Sequence, residues 1–141
     1  MLWLIRVPGV ATAESTFKND RYDQEPYGEL DGIKLGRIQI TRSFAGDLAG
    51  GSTAELLTAT TPDGSAGYVA HDLITARLEG RSGSFVLQHT GLLSAAGSES
   101  GGEIIPGSGT GELAGLTGSC RISVDEDGAH HLTLDYELGS V

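Results

Sequence analysis

Hydrophobic and polar residues alternate along the chain at the spacing of β-strands. Near the end of the sequence, one face of such a segment would carry Leu132, Leu134 and Leu138 together with His130 and Tyr136, with mostly polar residues between them. Successive side chains of a strand point to opposite sides, so this set is expected to face a core. The segment is therefore predicted to be a half-buried strand.

Similar β-rich runs recur along the chain, separated by glycine-containing breaks roughly every ten to fifteen residues, the spacing typical of an all-β sandwich or barrel. No segment keeps an apolar stripe at helical period for three turns. Eight strands are predicted, at Thr12 to Asn19, Lys34 to Phe44, Ser52 to Thr60, Gly67 to Arg77, Ser84 to Thr90, Glu103 to Pro106, Ser119 to Asp125 and Ala129 to Leu138.

The breaks "DLAGGS", "RLEGRSG" and "ELAGLTG" share Leu-x-Gly and favour tight hairpins between consecutive strands. An open sheet of eight strands would leave two unpaired edges, which closure removes. We therefore predict one domain over residues 11–141, an all-β, closed, eight-stranded antiparallel meander barrel, with an arm or extension over residues 1–10. A barrel of this size is filled by side chains or holds one small ligand.

The polar stretch "DRYDQEPYGELDG", residues 20–32, is the longest connection between predicted strands. Connections of this length in a compact domain are either solvated spacers or functional loops. It is predicted to be a loop, and one alternative makes it a lid over a barrel mouth.

Arg42 shares the predicted inner face of its strand with Ile38, Ile40 and Phe44. An unpaired buried guanidinium is too costly to tolerate, so an inward carboxylate is expected as its partner. Alternatively, Arg42 reaches the rim of the barrel and needs no special partner. The candidate acids are Glu55, Asp72, Glu103 and Glu112, of which Asp72 is favoured because it shares a face with Tyr68, Ala70 and Ile74.

In "GSFVLQHTG", Gln88 and His89 are neighbours on one predicted strand, so only one of them can face the lumen. We predict that Gln88, in phase with Ser84 and Val86, lines the lumen, and that His89 belongs to the outer packing. The strand segments "LITA" and "SFVLQ" are apolar on both faces, as when protein covers both sides. An oligomer that packs barrel against barrel is expected, or else coverage by the N-terminal arm.

Charge and composition exclude several classes of function. The formal net charge is −10 and there is no Lys/Arg cluster, which disfavours nucleic acid as a partner. The low aromatic content disfavours platforms for sugars or unpaired bases. No apolar run is long enough to span a membrane, and "MLWLI" is interrupted at Arg6 and Pro8. With Cys120 as the single cysteine, a soluble cytoplasmic protein is expected.

Three motifs suggest common chemistries but lack the context that each chemistry needs. The glycines of "GSGTGELAG" are not followed by a helix, and the stretch lacks the lysine of a Walker loop. His130 and His131 are adjacent on a predicted strand and therefore point to opposite faces, which disfavours a metal site. The chain contains no Gly-x-Ser-x-Gly nucleophile elbow. We expect neither a metal nor a cofactor.

Four stretches resemble a bacterial family of uncharacterised small proteins with an allene oxide cyclase-like, or calycin-like, barrel: "SAGYVAHD", "GRSGSFVLQHTG", "IIPGSGTGELAGLTG" and "DGAHHLTLDYEL". The resemblance covers roughly residues 11–138 and implies a closed eight-stranded barrel, often oligomeric, without an assigned activity. Better-known barrels of similar shape include allene oxide cyclase, dirigent proteins and spirotetronate cyclases, which steer apolar reactive molecules without a cofactor. The family more often has an apolar residue and Glu at His71 and Asp72, and an aromatic at His131.

Nine positions match the family motifs and could do chemistry. The predicted catalytic residues are Arg42, Asp72, Gln88 and His89, where Arg42 or Gln88 would stabilise an oxyanion and Asp72 or His89 would transfer a proton. The predicted ligand-binding residues are Glu55, Tyr68, Glu112, His130 and Tyr136.

These residues favour a cofactor-free cyclase or isomerase acting on a small, mostly apolar molecule in the barrel lumen. Two alternatives remain open at this point. One is a barrel that binds such a molecule without converting it, and the other is a structural barrel whose interior is packed solid.

Overall fold

The computed structural model describes residues 10–139, and the predicted arm over residues 1–10 lies almost entirely outside this range. The described chain is built almost wholly of β-strands, with one short 3₁₀ turn at Gly111–Leu113. The strands are β1 (Ala11–Leu30), β2 (Ile33–Gly46), β3 (Leu48–Thr60), β4 (Ala66–Leu78), β5 (Arg81–Ser94), β6 (Gly97–Ile104), β7 (Leu116–Val124) and β8 (His130–Leu138).

Each strand pairs antiparallel with the next one in the sequence, and β8 pairs back with β1, so the sheet closes into a ring. The closing register runs from Ala11 opposite Tyr136 to Phe17 opposite His130. The prediction of eight antiparallel strands in meander order is confirmed. Among the described residues, no helix is long and apolar enough to cross a membrane.

The first hairpin is much longer than predicted. Residues 20–30 continue β1 and stay paired with β2 as far as Leu30 opposite Ile33. Asp31 and Gly32 form the turn with φ of 53° and 82°, the positive values that an Asp-Gly pair readily adopts. The predicted loop or lid over residues 20–32 is therefore wrong. Most of this segment is exposed, so its sequence lacks the alternation of apolar and polar residues from which a half-buried strand is predicted.

The sixth strand is also misplaced in the prediction, which put it at Glu103 to Pro106. The structure has it at Gly97–Ile104, paired over eight residues with β5. This glycine- and serine-rich segment has almost no apolar side chains, and its backbone pairing with β5 is what makes it a strand.

Apolar side chains fill two clusters on the inside of the ring. The larger cluster includes Phe17, Phe44, Ile74 and Phe85. The smaller cluster lies farther along the same strands and contains Ile38, Ile40, Ala54, Leu56 and Ala70, with Tyr68 packed against it. Along β2 and β4, one inward position separates the two clusters, and that position carries a charge.

Candidate functional site

Four polar side chains lie inside the ring between the two apolar clusters: Arg42, Ser52, Asp72 and His89, here called the polar layer. All four are buried, and Asp72 and His89 are each only 1% exposed. Strand pairing brings them together, because Arg42 lies opposite Ser52 on β3 and Asp72 lies two positions from the partner of His89 on β4. Burial of this much polarity in an apolar interior requires compensating contacts.

Arg42 and Asp72 form a buried ion pair, in which Nη1 of Arg42 donates to Oδ2 of Asp72. The Nε of Arg42 donates to Oδ1 of Asn19 at 3.0 Å, and its guanidinium carbon lies 5.3 Å from the centre of the Phe17 ring. The predicted inward partner of Arg42 is therefore Asp72. The alternative, in which Arg42 escapes to the rim, is not what the structure shows.

A chain of hydrogen bonds connects this ion pair to a half-buried tyrosine. Nε2 of His89 lies 3.3 Å from Oδ2 of Asp72, and Nδ1 of His89 lies 2.9 Å from the hydroxyl of Tyr68. The same hydroxyl lies 2.5 Å from Oγ of Ser100, which in turn lies 3.3 Å from the carbonyl of Thr90. We call Asp72, His89 and Tyr68 the relay, because adjacent members share a hydrogen bond.

The surroundings keep one end of the relay charged and the other end neutral. Burial would raise the pKa of Asp72, but the hydrogen bond from His89 and the charge of Arg42 together hold it below its usual value. Burial raises the pKa of the Tyr68 phenol, only partly offset by its hydrogen bond with Ser100. At neutral pH, Asp72 is therefore an anion and Tyr68 a neutral phenol.

The distances are consistent with one simple arrangement of protons. With Asp72 ionised, Nε2 of His89 carries a proton and donates it to the carboxylate, which leaves Nδ1 as an acceptor. The Tyr68 hydroxyl then donates to Nδ1 and accepts from Ser100, whose single hydroxyl proton points to Tyr68 in this arrangement and not to the more distant Thr90 carbonyl. In this arrangement, the phenol oxygen can take up a proton while its own proton passes to His89, whose positive charge Asp72 would stabilise.

A glycine on the neighbouring strand makes room for the Tyr68 ring. Gly91 lies opposite Tyr68, and a Cβ on Gly91 would come within 2.3 Å of the Tyr68 ring. The ring also meets the imidazole of His89 edge-on, with centroids 5.4 Å apart. The missing side chain at Gly91 thus allows the phenol to reach both of its partners.

Comparison with known proteins places the chain in a family. A family model described as "Protein of unknown function (DUF3224)" matches residues 13–136. The chain belongs to the DUF3224 family. It is similar to a crystal structure of a DUF3224 protein of unknown function from Shewanella oneidensis MR-1, with 34% identity, a TM-score of 0.82 and coverage of 94% of this chain and 99% of that one. None of the curated proteins matches the sequence.

This DUF3224 chain reverses the predicted orientations of Gln88 and His89. His89 is buried in the polar layer, whereas Gln88 is exposed and its Oε1 lies 2.8 Å from Nε2 of His71 on the outer face. The prediction that Gln88 lines the lumen is wrong. The larger side chains in phase with His89 are Phe85 and Leu87, and they fill the core, while the small residues in phase with Gln88 face outward.

The other predicted site residues of this DUF3224 protein lie apart from the relay. Glu55 is exposed and pairs with Arg37 on the outer face. Glu112 accepts a hydrogen bond from the backbone of Ser82 at 3.1 Å.

Two predicted residues lie nearer the larger apolar cluster of the DUF3224 fold. Tyr136 donates to Oε1 of Glu79 at 2.7 Å, and burial and Glu79 raise its pKa to about 12. The ring of His130 stacks on Phe17, with centroids 5.1 Å apart. His130 therefore touches the aromatic ring that supports Arg42 without being in the relay.

Sequence reasoning missed two residues that contact the relay or the ion pair of this DUF3224 protein, Ser100 and Asn19, and a third, Ser52, whose hydroxyl lies in the polar layer without a hydrogen-bond partner in the described part of the chain. Ser100 lies in a glycine- and serine-rich stretch without a readable pattern, and Asn19 lies next to a β-bulge that shifts the register of β1. Ser52 shares parity with Ala54 and Leu56, and this phase could have identified it as inward. Within residues 10–139, no group of three or more His, Cys, Asp or Glu side chains is placed to hold a metal.

Proposed function

We propose that this protein is a cofactor-free isomerase or cyclase that moves a proton within a small, mostly apolar molecule, with Tyr68 as the group that exchanges the proton. The relay supports this proposal, because it connects a buried carboxylate through an imidazole to a half-buried phenol. Buried, charge-coupled groups of this kind are more typical of functional sites than of structural cores. A purely structural core of this size would be served better by apolar side chains.

The proton-transfer step balances without any cofactor. The Tyr68 oxygen takes a proton from a carbon of the substrate while the phenol proton moves to Nδ1 of His89. Asp72 stabilises the imidazolium that results, as the carboxylate of a hydrolase triad does. The reverse transfer returns a proton to a different carbon or oxygen of the substrate. The net result is an isomerised substrate and a restored relay.

The substrate would bind at the end of the ring where Tyr68 is only partly buried. Farther inside, the two apolar clusters occupy the space on either side of the polar layer. Tyr68 lines a surface depression of about 480 Å³ that also includes Tyr27, Leu35 and Leu92. This size and apolar character fit a small molecule. The motifs resemble an uncharacterised family, and the expected likeness to allene oxide cyclase is one of fold only, so the proposed chemistry rests on the relay and the depression.

The proposal is tested by proton exchange on simple apolar carbonyl compounds. Cyclohexanone and cyclohexenone are incubated with the protein in D₂O, and loss of the proton signal next to the carbonyl is followed by NMR. General acid–base catalysis accelerates a reaction about a hundredfold or more. Tyr68→Phe is therefore expected to lower the protein-dependent exchange rate by about that factor or more. Asp72→Asn is expected to lower the rate as well, because the imidazolium loses its stabilising charge.

Tyr22→Phe is the matched control, because Tyr22 is 54% exposed and lies outside the relay. Circular dichroism confirms that each variant is folded. The proposal is overturned if the wild-type protein does not accelerate exchange, or if Tyr68→Phe exchanges as fast as Tyr22→Phe. Binding of the carbonyl compounds without exchange, seen as chemical-shift changes in the protein, would favour a binding protein instead.

A further inference from the structure

The outer faces of β3, β4 and β5 carry apolar side chains that are exposed in the described part of the chain, residues 10–139. Leu57, Val69 and Leu73 are 49%, 52% and 54% exposed, and Val86 beside them is partly exposed. Together these four residues line a depression of about 830 Å³, here called the outer groove. Contiguous exposed apolar surface of this kind marks interaction sites on proteins.

Polar contacts run across the outer groove. Nη2 of Arg37 donates to both carboxylate oxygens of Glu55, at 2.8 and 2.9 Å. His71 lies opposite both Glu55 and Gln88, and it is joined to Gln88 by a hydrogen bond of 2.8 Å. Apolar side chains of the groove lie on both sides of this polar row, and protein–protein interfaces ordinarily combine apolar contacts with such hydrogen-bonding groups.

The formal charges of the residues that line the outer groove cancel, although the protein as a whole is strongly acidic. The formally charged lining residues of the groove are Arg37 and Glu55, whose charges of +1 and −1 sum to zero. The whole chain carries −10. Two copies of such a chain repel each other through most of their surfaces, and this repulsion is weakest where the local charge cancels.

We propose that the outer groove binds the same groove of a second copy of this chain, forming a two-fold symmetric dimer. A nucleic acid would require a cluster of Lys and Arg, and a carbohydrate would require exposed aromatic rings. The residues that line the groove include one Arg and no Phe, Tyr or Trp. A basic protein partner would be drawn to the acidic surface elsewhere. A self-complementary apolar patch is what a two-fold interface needs.

The size of the groove sets the strength of the association. Its lining comprises twelve residues, whereas a standard interface uses roughly 20–30 residues on each side. The dimer is therefore expected at the weak end of specific association. Leu57 and Val69 line both the groove and the depression beside Tyr68, whereas Leu73 lines only the groove, so Leu73 and Tyr68 are the positions at which the dimer and the proposed chemistry can be tested separately.

Sedimentation velocity across a dilution series, from micromolar to millimolar protein, measures the association directly. The wild-type chain is expected to shift from one protomer of 14.6 kDa to a species of about twice that mass. Leu73→Glu places a charge on an apolar centre of the interface and is expected to weaken association at least tenfold. Leu30→Glu makes the same change at a leucine that is 73% exposed at the tip of the β1–β2 hairpin, away from the groove.

Leu30→Glu is expected to associate as the wild type does. The proposal is overturned if the wild-type chain stays a monomer throughout the series, since the groove then has no second copy. It is also overturned if Leu73→Glu and Leu30→Glu associate equally. Tyr68→Phe is expected to dimerise normally, so failure of the proposed chemistry and failure of the dimer give different results.

Discussion

The Arg42–Asp72 ion pair stabilises the fold only while both partners are present. Their side chains are 8% and 1% exposed, so neither charge can turn to water once its partner is removed. Loss of one partner of a buried pair costs about 3–5 kcal/mol, because an uncompensated charge is left in the interior. A domain of this size has a total stability of about 5–15 kcal/mol. Asp72→Leu or Arg42→Met alone is therefore expected to remove a large part of it.

Removal of both charges together should cost far less than the sum of the two single changes. The double variant Arg42→Met/Asp72→Leu replaces the pair with apolar groups between two apolar clusters, a change that is often neutral. We expect a coupling energy of about 3 kcal/mol or more between the two positions. Urea denaturation followed by circular dichroism at neutral pH gives the four free energies of unfolding that this cycle requires.

The exposed pair Arg37–Glu55 provides a matched control cycle. Its side chains are 54% and 44% exposed, and the coupling energy of such surface pairs is about 0–1 kcal/mol. Arg37→Met and Glu55→Leu are therefore expected to be nearly additive. Additive costs at Arg42 and Asp72 as well would refute the reasoning, because the buried charges would then not depend on each other.

Acid should remove the same stabilisation. The pKa of Asp72 is lowered in the folded state, so the carboxylate contributes stability that is present above its unfolded pKa of about 3.9. That contribution is lost as the pH falls through the lower, folded value. The difference in free energy of unfolding between wild type and Asp72→Leu is expected to hold at neutral pH and to shrink below pH of about 4.

Two further predictions concern backbone packing and alkaline stability. A Cβ on Gly102 would lie 1.9 Å from the carbonyl oxygen of Gln88, so Gly102→Ala should lower the free energy of unfolding, measured by urea denaturation, by about 1–3 kcal/mol or more. In the control Gly28→Ala, the added Cβ meets only ordinary van der Waals contacts. Equal costs for the two variants would contradict the predicted clash at Gly102. The pKa of Tyr136 is raised to about 12, so its stabilisation is complete below the unfolded value of about 10 and is lost as the pH rises from there. The pKa of Tyr68 is raised as well, so in ultraviolet titrations Tyr136→Phe should show one late-titrating phenol fewer than the wild type, and an unchanged number would rule out this assignment.

The alternation of apolar and polar residues was enough to predict most strands and their inner faces. It succeeded on β2 and β8, where every second residue packs into the core, and on the first half of β4, before the doubly apolar "LITA". It failed on the exposed half of β1 and on glycine-rich β6, where strand structure comes from pairing with a neighbour. Alternation of apolar and polar residues arises where one face of a strand is buried. These two segments bury little apolar surface, so their sequences do not show it.

The candidate site, like the fold, was predicted from the sequence only in part. Parity on single strands placed Arg42 and Asp72 on inner faces and favoured Asp72 among four candidate acids, and the structure shows that the two residues pair. It could not choose between Gln88 and His89, because "SFVLQHTG" is apolar in both phases. The choice depends on which set of alternate side chains fills the volume inside the ring. Phe85 and Leu87 fill it, and His89 belongs to the same set.

The sequence by itself determined the all-β class and the antiparallel strand order and favoured an inward ion pair, because these follow from local periodicity and from the cost of an unpaired buried charge. Only the tertiary structure decided that the ion pair continues through His89 to Tyr68 and Ser100. These contacts join β2, β4, β5 and β6 through strand register and through the space above a glycine. Register is a property of paired strands, and a single strand's sequence does not encode it.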